Sequence, residues 1–411
     1  MMTTNSNIPP GYKDSAVGII PQEWDVKRLV DLCHNTGDYG INAPAVSYRE
    51  DLPTYLRITD IDGWGKFIET DKVSVDNPNS SQFILRDGDI VFARTGATVG
   101  KTYLYDSKDG QLVFAGFLIR FTPNSNKAVP YYIKACSETA SYWNWVRVIS
   151  QRSGQPGINS VEYGAMKLAV PPMEEQRKIA EILGVWDEAI EKQSRLIEKL
   201  ELRKRALMQR LLTGRTRLPA FTTPWQKVKL GEIFKERNET KCEHLPLLSI
   251  TAERGVILQS ESDKKDTSND DKSKYKRIYP NDIGYNTMRM WQGRSALSAM
   301  EGIVSPAYTI VTPKVGIDPL FISELIKQPR VVYDFWTHSQ GLVGDTLNCK
   351  FHDFSQVKVA IPSLPEQKAI AEVLTVADKE IAIHRKKLDA LRQQKRGLMQ
   401  QLLTGKTRVK I

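Results

Sequence analysis

Two stretches of this chain place basic and amide side chains on glycine-rich turns, an arrangement suited to gripping phosphates or base edges. In Phe92-Ala93-Arg94-Thr95-Gly96-Ala97-Thr98-Val99-Gly100-Lys101-Thr102 a strand-like run leads into a turn expected to hold Arg94 and Lys101 outward, with Thr95 between them. A nucleotide-binding P-loop is excluded, because Gly96 lies four positions before Gly100 where that motif requires five. The second stretch, Tyr285–Arg294, offers Asn286, Arg289, Gln292 and Arg294, types that make paired hydrogen bonds to purine edges. Later in each half come the polar loops Ser150-Gln151-Arg152-Ser153-Gly154-Gln155 and His338-Ser339-Gln340-Gly341. An ordinary solvated turn is the competing reading of each loop. Arg57, Gln151, Arg152, His338 and Gln340 complete the candidate DNA contacts.

Other chemistries find little support. Cys33, Cys136, Cys242 and Cys349 are scattered, as expected of a reducing cytoplasm. Cys349-x-x-His352 and Cys242-x-His244 lack a second ligand pair at zinc-finger spacing, so no metal is expected. The Asn/Asp-Pro-Pro-Tyr/Phe motif of amino-methyltransferases is missing, Asn7-Ile8-Pro9-Pro10 being a near miss, and neither a Walker A loop nor a nuclease constellation is present. The expectation is therefore a chain with no catalytic residues and no cofactor of its own. With no cleavable signal sequence and no apolar run of bilayer length, it is expected in the cytoplasm, away from membranes.

The candidate turns need scaffolds, and two β-rich blocks supply them. Trp24-x-x-x-x-Leu29 and Trp225-x-x-x-x-Leu230 open the blocks. Leu52-Pro53 before Tyr55–Thr59 resembles Leu245-Pro246 before Leu247–Thr251, and Asp89-Ile90-Val91-Phe92 resembles Asp282-Ile283-Gly284-Tyr285. Short strands bounded by Gly, Pro, Asp and Asn are expected, with helical patches near Tyr131–Val148 and Pro319–Thr337. Each block, of about 145 residues, is large enough to bury a core.

Between and after the blocks lies one segment written twice. Pro171–Leu218, moved by 191 positions onto Pro362–Val409, is identical at 22 of 48 positions. In the first copy positions 179, 183, 186, 190, 193, 197, 200, 204, 207 and 211 alternate steps of four and three, and eight of the ten are apolar; the second copy repeats the pattern. Such a run over five heptads is a coiled-coil seam. Its polar interruptions coincide, Gln193 with His384 and Lys204 with Lys395, which suggests one paired structure with a set register. Ile179, Leu183, Trp186, Ile190 and Leu200, with Ile370, Leu374, Ile381 and Leu391, are the candidate helix and partner contacts. Ser363-x-x-Glu366 forms a capping-box pattern, and Gly214 and Gly405 fit left-handed terminal caps. Glu174–Leu212 spans 39 residues, roughly 58 Å at ~1.5 Å per residue.

Of the net charge of +10, residues 174–217 carry +3 and 365–410 carry +6. The last turns concentrate Arg203, Lys204, Arg205, Arg210, Arg215 and Arg217 in one copy, and Arg392, Lys395, Arg396, Lys406, Arg408 and Lys410 in the other. A solvated face favoured by the helix dipole competes there with phosphate contact or partner docking.

The repeated Pro-x-x-x-Glu-Gln-x-x-Ile-Ala-x-x-Leu segment ending in Leu-Leu-Thr-Gly resembles the specificity subunit of type I restriction–modification systems. So do the 88–101 run and Ser153–Asn159; Trp291–Arg294 and Leu342–Asn348 match less closely. The resemblance implies an α+β chain with a pseudo-two-fold internal repeat. Two globular α/β target recognition domains (1–170 and 219–361) would be separated by two long antiparallel coiled-coil helices (171–218 and 362–411). Each domain would read half of a split double-stranded DNA target. The helices would set the spacing and dock two modification subunits, which bind S-adenosylmethionine and methylate adenine. Two restriction subunits would bring the ATP- and Mg-dependent motor and nuclease. A subunit of a related non-type-I system, a catalytic methyltransferase and a protein-only scaffold are the alternatives.

Overall fold

In the computed structural model, which describes residues 8–152, 154–251, 254–262, 270–341 and 347–411, the run Ile90-Val91-Phe92-Ala93 is buried at every position. Side chains alternate across a strand, so Ile90 and Phe92 enter one apolar core while Val91 and Ala93 enter another. Residues 1–193 and 387–411 form one compact unit and 194–386 a second.

Among the strands of the first unit are β1 (Asp25–Arg28), β2 (Asp38–Tyr39), β3 (Ile90–Ala93), β4 (Thr102–Leu104), β5 (Leu118–Phe121) and β6 (Lys167–Val170). An antiparallel sheet runs β2-β5-β3-β4, and β1 pairs antiparallel with β6. A smaller four-stranded sheet joins Val46–Ser47, Thr54–Leu56, Val73–Ser74 and Leu112–Phe114. The first helical patch is two helices, α1 (Pro130–Cys136) and α2 (Ala140–Ile149). The break is chemical: the Thr139 hydroxyl accepts the Tyr142 N–H and caps α2.

The first of two equally long helices, α3 (Met173–Leu211), spans 39 residues. The second unit contains β7 (Gln226–Lys229), β8 (Phe234–Arg237), β9 (Ile283–Asn286), β10 (Ser295–Leu297), β11 (Tyr308–Pro313) and β12 (Lys358–Ile361). Its antiparallel sheet has the order β8-β11-β9-β10, and β7 pairs with β12. Here too the helical patch divides, into α4 (Pro319–Leu325) and α5 (Pro329–His338), with Pro329 opening α5. The last helix, α6 (Leu364–Leu402), again has 39 residues. Among the described residues no helix is long and apolar enough to cross a membrane.

None of the twenty expected seam positions on α3 and α6 is exposed. Ile179 and Leu183 enter the first unit's core beside Trp24, and Ile370 and Leu374 enter the second unit's core with Phe321. Leu200 and Ile381 are buried, while Trp186, Ile190 and Leu391 are half-buried. Ion pairs show the sense of packing within each unit. Asp187 meets Lys395 and Glu175 meets Arg408 in the first; Glu201 meets Arg385, Lys204 meets Asp378 and Arg217 meets Glu366 in the second. Ascending numbers on one segment face descending numbers on the other, so the segments are antiparallel in each unit.

The repeated Glu-Gln pair fastens each block to its helix. Glu175 is fully buried; it accepts the Trp24 indole N–H at 2.9 Å and two Arg408 N–H groups at 2.7 and 3.0 Å. Glu366 does the same with Trp225 at 3.4 Å and Arg217 at 2.5 and 2.7 Å. This corrects the capping-box expectation, since both Glu366 oxygens are engaged by Arg217 rather than turned to the Ser363 backbone. Gln176 accepts the Val129 N–H at the start of α1, and Gln367 the Asp318 N–H at the start of α4, both at 2.9 Å. Gly214 and Gly405 have φ of 68° and 71°, as the left-handed caps require. A Cβ at Gly405 would also lie 2.4 Å from Pro21.

Candidate nucleic-acid interface

In the first unit the turn after β3 is a 3-10 turn, Gly96–Thr98, between Gly96 and Gly100 at φ of 74° and 89°. The turn is closed from two sides. Gly96 N–H donates to the Pro156 carbonyl at 3.0 Å and Ile158 N–H to the Arg94 carbonyl at 2.8 Å, while Arg94 N–H donates to the Phe117 carbonyl at 3.0 Å. Three segments distant in sequence, 94–98, 115–118 and 155–158, thus meet at one end of the inner strands β3 and β5, and the two polar stretches singled out from sequence become neighbours. Ser153 lies outside the described residues.

The side chains depart from expectation in places. Lys101 is not held outward: its ammonium donates to the Ile61 carbonyl at 3.1 Å, which ties the turn to the neighbouring layer. Arg94 is half-buried, its guanidinium 4.7 Å from the Tyr39 ring centroid and its Nε buried with no hydrogen-bond partner among the described residues. Thr95 is half-buried and Gln151 exposed. Arg152 is exposed but pairs with Glu162 at 2.5 Å, and Arg57 pairs with Asp60 at 2.7 Å, so neither guanidinium is uncommitted. Sequence reasoning missed Phe117, 59 % exposed beside Arg94, and Tyr39, which supports the Arg94 plane. A Gly-Phe step just before an apolar strand was the available signal.

In the second unit the corresponding segments converge again. Thr287 N–H donates to the Ala307 carbonyl at 3.2 Å and Cys349 N–H to the Thr287 carbonyl at 2.9 Å. Asn286 uses its side-chain carbonyl to hold the turn, accepting the Met288 N–H at 3.0 Å, so one of its two acceptor sites is committed within the chain. Arg289, Gln292 and Arg294 are exposed on the 3-10 turn that Gly293 closes at φ of 71°. His338 is exposed, its Nδ1 2.7 Å from the Asp334 carbonyl, and Gln340 donates to Asp353 at 3.0 Å. Residues 342–346 of the looser motif lie outside the described residues.

Much of the basic charge at the helix ends is spent within the chain. Lys395 pairs with Asp187 and Glu138; Arg408 pairs with Glu175 and Glu23; Arg392 stacks over Trp64 at 4.5 Å. Hydrogen bonding to Glu175 and Glu23 raises the Arg408 pKa further above its ordinary value. Arg217, Arg203 and Lys204 are paired in the second unit. These six therefore weigh against the reading of the whole cluster as a phosphate-binding face. Cys33, Cys136 and Cys349 are buried, and burial pushes each thiol up to about 12. Among the described residues no cluster of three or more His, Cys, Asp or Glu side chains could hold a metal ion.

Residues 21–202 and 321–393 match the model of the type I restriction modification DNA specificity domain. A relative in Methanocaldococcus jannaschii that carries a type I restriction enzyme specificity-subunit name, MjaX, is 26% identical over 430 residues, spanning 97% of both chains. The type I restriction enzyme MjaVIII specificity subunit of the same organism is 24% identical over 425 residues, spanning 95% of this chain and 94% of its own. In fold the protein is similar to a chain from a structural study of complex assembly and conformational transition of the type I R-M system. The TM-score is 0.55 at 17% identity, over 94% of this chain and 99% of that one.

Proposed function

The chain belongs to the type I restriction modification DNA specificity family, and on that premise we propose that it reads a split double-stranded DNA target, one half-site per unit. The observation that carries this reading is the convergence of three loops in each unit on equivalent sheets whose tip residues differ. Arg94 and Phe117 stand in one unit where Thr287 and Ala307 stand in the other. A constant scaffold with divergent tips is what two reading heads need, because base edges are specified by side chains while the frame only positions them. Arg94, Phe117 and Gln151 face one half-site; Arg289, Gln292 and Arg294 face the other.

The two 39-residue helices act as an antiparallel coiled-coil spacer, each roughly 58 Å long at ~1.5 Å per residue. The internal repeat gives the chain two equivalent ends, and each end receives a modification subunit, which supplies S-adenosylmethionine chemistry on adenine. Restriction subunits with their ATP-driven motor and nuclease join the modification subunits. This chain contributes recognition and spacing, and no catalytic group. Exchanging residues 225–361 for the equivalent domain of another such subunit, and sequencing the methylome of a host carrying the complex, tests the reading. One half of the methylated motif should change. A change in both halves, or in neither, overturns the division of labour.

A further inference from the structure

We infer that two Lys–Asp pairs, Lys395–Asp187 and Lys204–Asp378, are the register keys of the helices and thereby determine the gap between half-sites; this rests on the spacer reading above. In the first unit Lys395 Nζ lies 2.7 Å from Asp187 and 3.5 Å from Glu138, with its side chain only 11 % exposed. The Tyr131 hydroxyl donates to the same Asp187 carboxylate, joining the key to α1. In the second unit Lys204 Nζ lies 2.6 Å from Asp378, and Arg385–Glu201 follows along the same face at 2.6 Å.

Both lysines occupy seam positions, where every neighbour in the pattern but one is apolar. An apolar seam alone fixes register weakly, since a slip of one heptad again sets mostly apolar residues against apolar residues. A poorly solvated cation changes that, because it needs its partner in one place. Asp187 precedes Lys204 by seventeen residues and Asp378 precedes Lys395 by seventeen. Two helices carrying Asp and Lys at the same separation are complementary when antiparallel, and both pairs close in a single register. Slipping one heptad in one direction sets Lys204 against Ala371, Lys395 against Ala180, Asp187 against Leu388 and Asp378 against Ile197. Slipping the other way sets Lys204 against Arg385, Lys395 against Ser194, and both aspartates against leucines, Leu402 and Leu211. Each of the four charges loses its native opposite in both directions, although in the first slip Glu372 and Glu181 stand one residue from the positions facing Lys204 and Lys395. The first key is the more enclosed, Asp187 being 24 % exposed and Asp378 56 %, so it holds the register more firmly.

The test uses the full chain in complex with its modification subunits, in a Glu138→Gln background so that a carboxylate at position 395 meets no like charge. Asp187→Lys with Asp378→Lys opposes lysine to lysine at both keys; adding Lys204→Asp and Lys395→Asp restores reversed pairs. Register is read without DNA by disulfide formation, Glu201→Cys with Arg385→Cys reporting the native register and Glu201→Cys with Arg392→Cys a slipped one. The clashing variant should lose the native cross-link and methylation of the native site by about tenfold or more, and the four-fold variant should recover both. Should the clashing variant fail to fold, recovery of folding in the four-fold variant supports the keys equally. A native cross-link at full yield in the clashing variant, or a four-fold variant that is not rescued, overturns them. A cross-link that moves while the methylated gap stays the same would retain the keys as register-setters and refute the gap assignment and the spacer reading beneath it.

Discussion

Removing the Arg408 guanidinium should unseat the first helix end from its block. Glu175 is fully buried and holds its charge against two Arg408 N–H groups at 2.7 and 3.0 Å and the Trp24 indole at 2.9 Å. Arg408→Ala leaves that carboxylate with a single neutral donor. Breaking a sealed pair from one side costs ~3–5 kcal/mol; the Arg408 side chain is 35 % exposed, so water reaches part of the site and about 2–4 kcal/mol is expected here. Glu175→Gln should cost less, roughly 1–2 kcal/mol, because the uncharged amide keeps the shape and Arg408 turns to Glu23 and solvent. The double variant should then be more stable than Arg408→Ala alone. Urea unfolding followed by circular dichroism reads this out. With m near ~2 kcal/mol/M the first unit's midpoint should fall by about 1–2 M in Arg408→Ala. A loss below about 0.5 kcal/mol, the usual effect of an exposed arginine, would refute the claim that this pair fastens block to helix.

Arg94→Ala should relax one position of the first half-site at ~1–3 kcal/mol, read from the methylated motif, whereas Lys101→Ala should loosen the turn and leave the salt slope of DNA binding unchanged; a slope lowered by about one in Lys101→Ala would return that lysine to the phosphates. Cys33, Cys136 and Cys349, raised to about 12 by burial, should resist a thiol reagent at pH 8 until the chain unfolds, and rapid native labelling of any of them would contradict the packing. Because folding favours the protonated thiols, their contribution to stability is full below the free-thiol value of ~8.5 and is lost as pH rises from there toward 12. Deleting Glu191–Ile197 and Ala382–Leu388 together should move the recognition blocks about 10 Å closer, roughly three base pairs and about 100° of duplex rotation. Methylation of the original site should collapse, and random-spacer selection should return a shorter gap; an assembled mutant that keeps the original gap would show that the helices do not set it.

The helices were legible in the sequence because a heptad seam is a local, periodic signal that survives without any knowledge of the partner. The sheets were legible as strands but not as orders: β3 and β5 are four residues long, too short for sequence to say that β5 inserts between β2 and β3. Single side chains were harder still. Lys101 reads as a free cation, and only the arrival of the Ile61 carbonyl, forty residues upstream, turns it inward. Glu366 satisfied a local capping pattern, yet a guanidinium at position 217 outcompetes a backbone N–H for its oxygens. Phe117 was passed over because the Gly-Phe step that precedes β5 reads as part of the apolar strand until its exposure is known.

The Asp–Lys spacing places a constraint on how such a ruler can change. Removing one heptad from each helix between its aspartate and its lysine leaves both separations at ten, and the two keys still close together. Removing it from one helix alone leaves ten facing seventeen, and no register then satisfies both pairs. The apolar seam would accept either change, since each preserves the alternation of threes and fours. On the spacer reading proposed above, charge therefore imposes what hydrophobicity does not: the two copies should lengthen or shorten in step. The blocks answer to no such pairing. They are fastened to their helices through Glu175 and Gln176 in one unit and Glu366 and Gln367 in the other, and none of these bonds involves the turns proposed to read DNA.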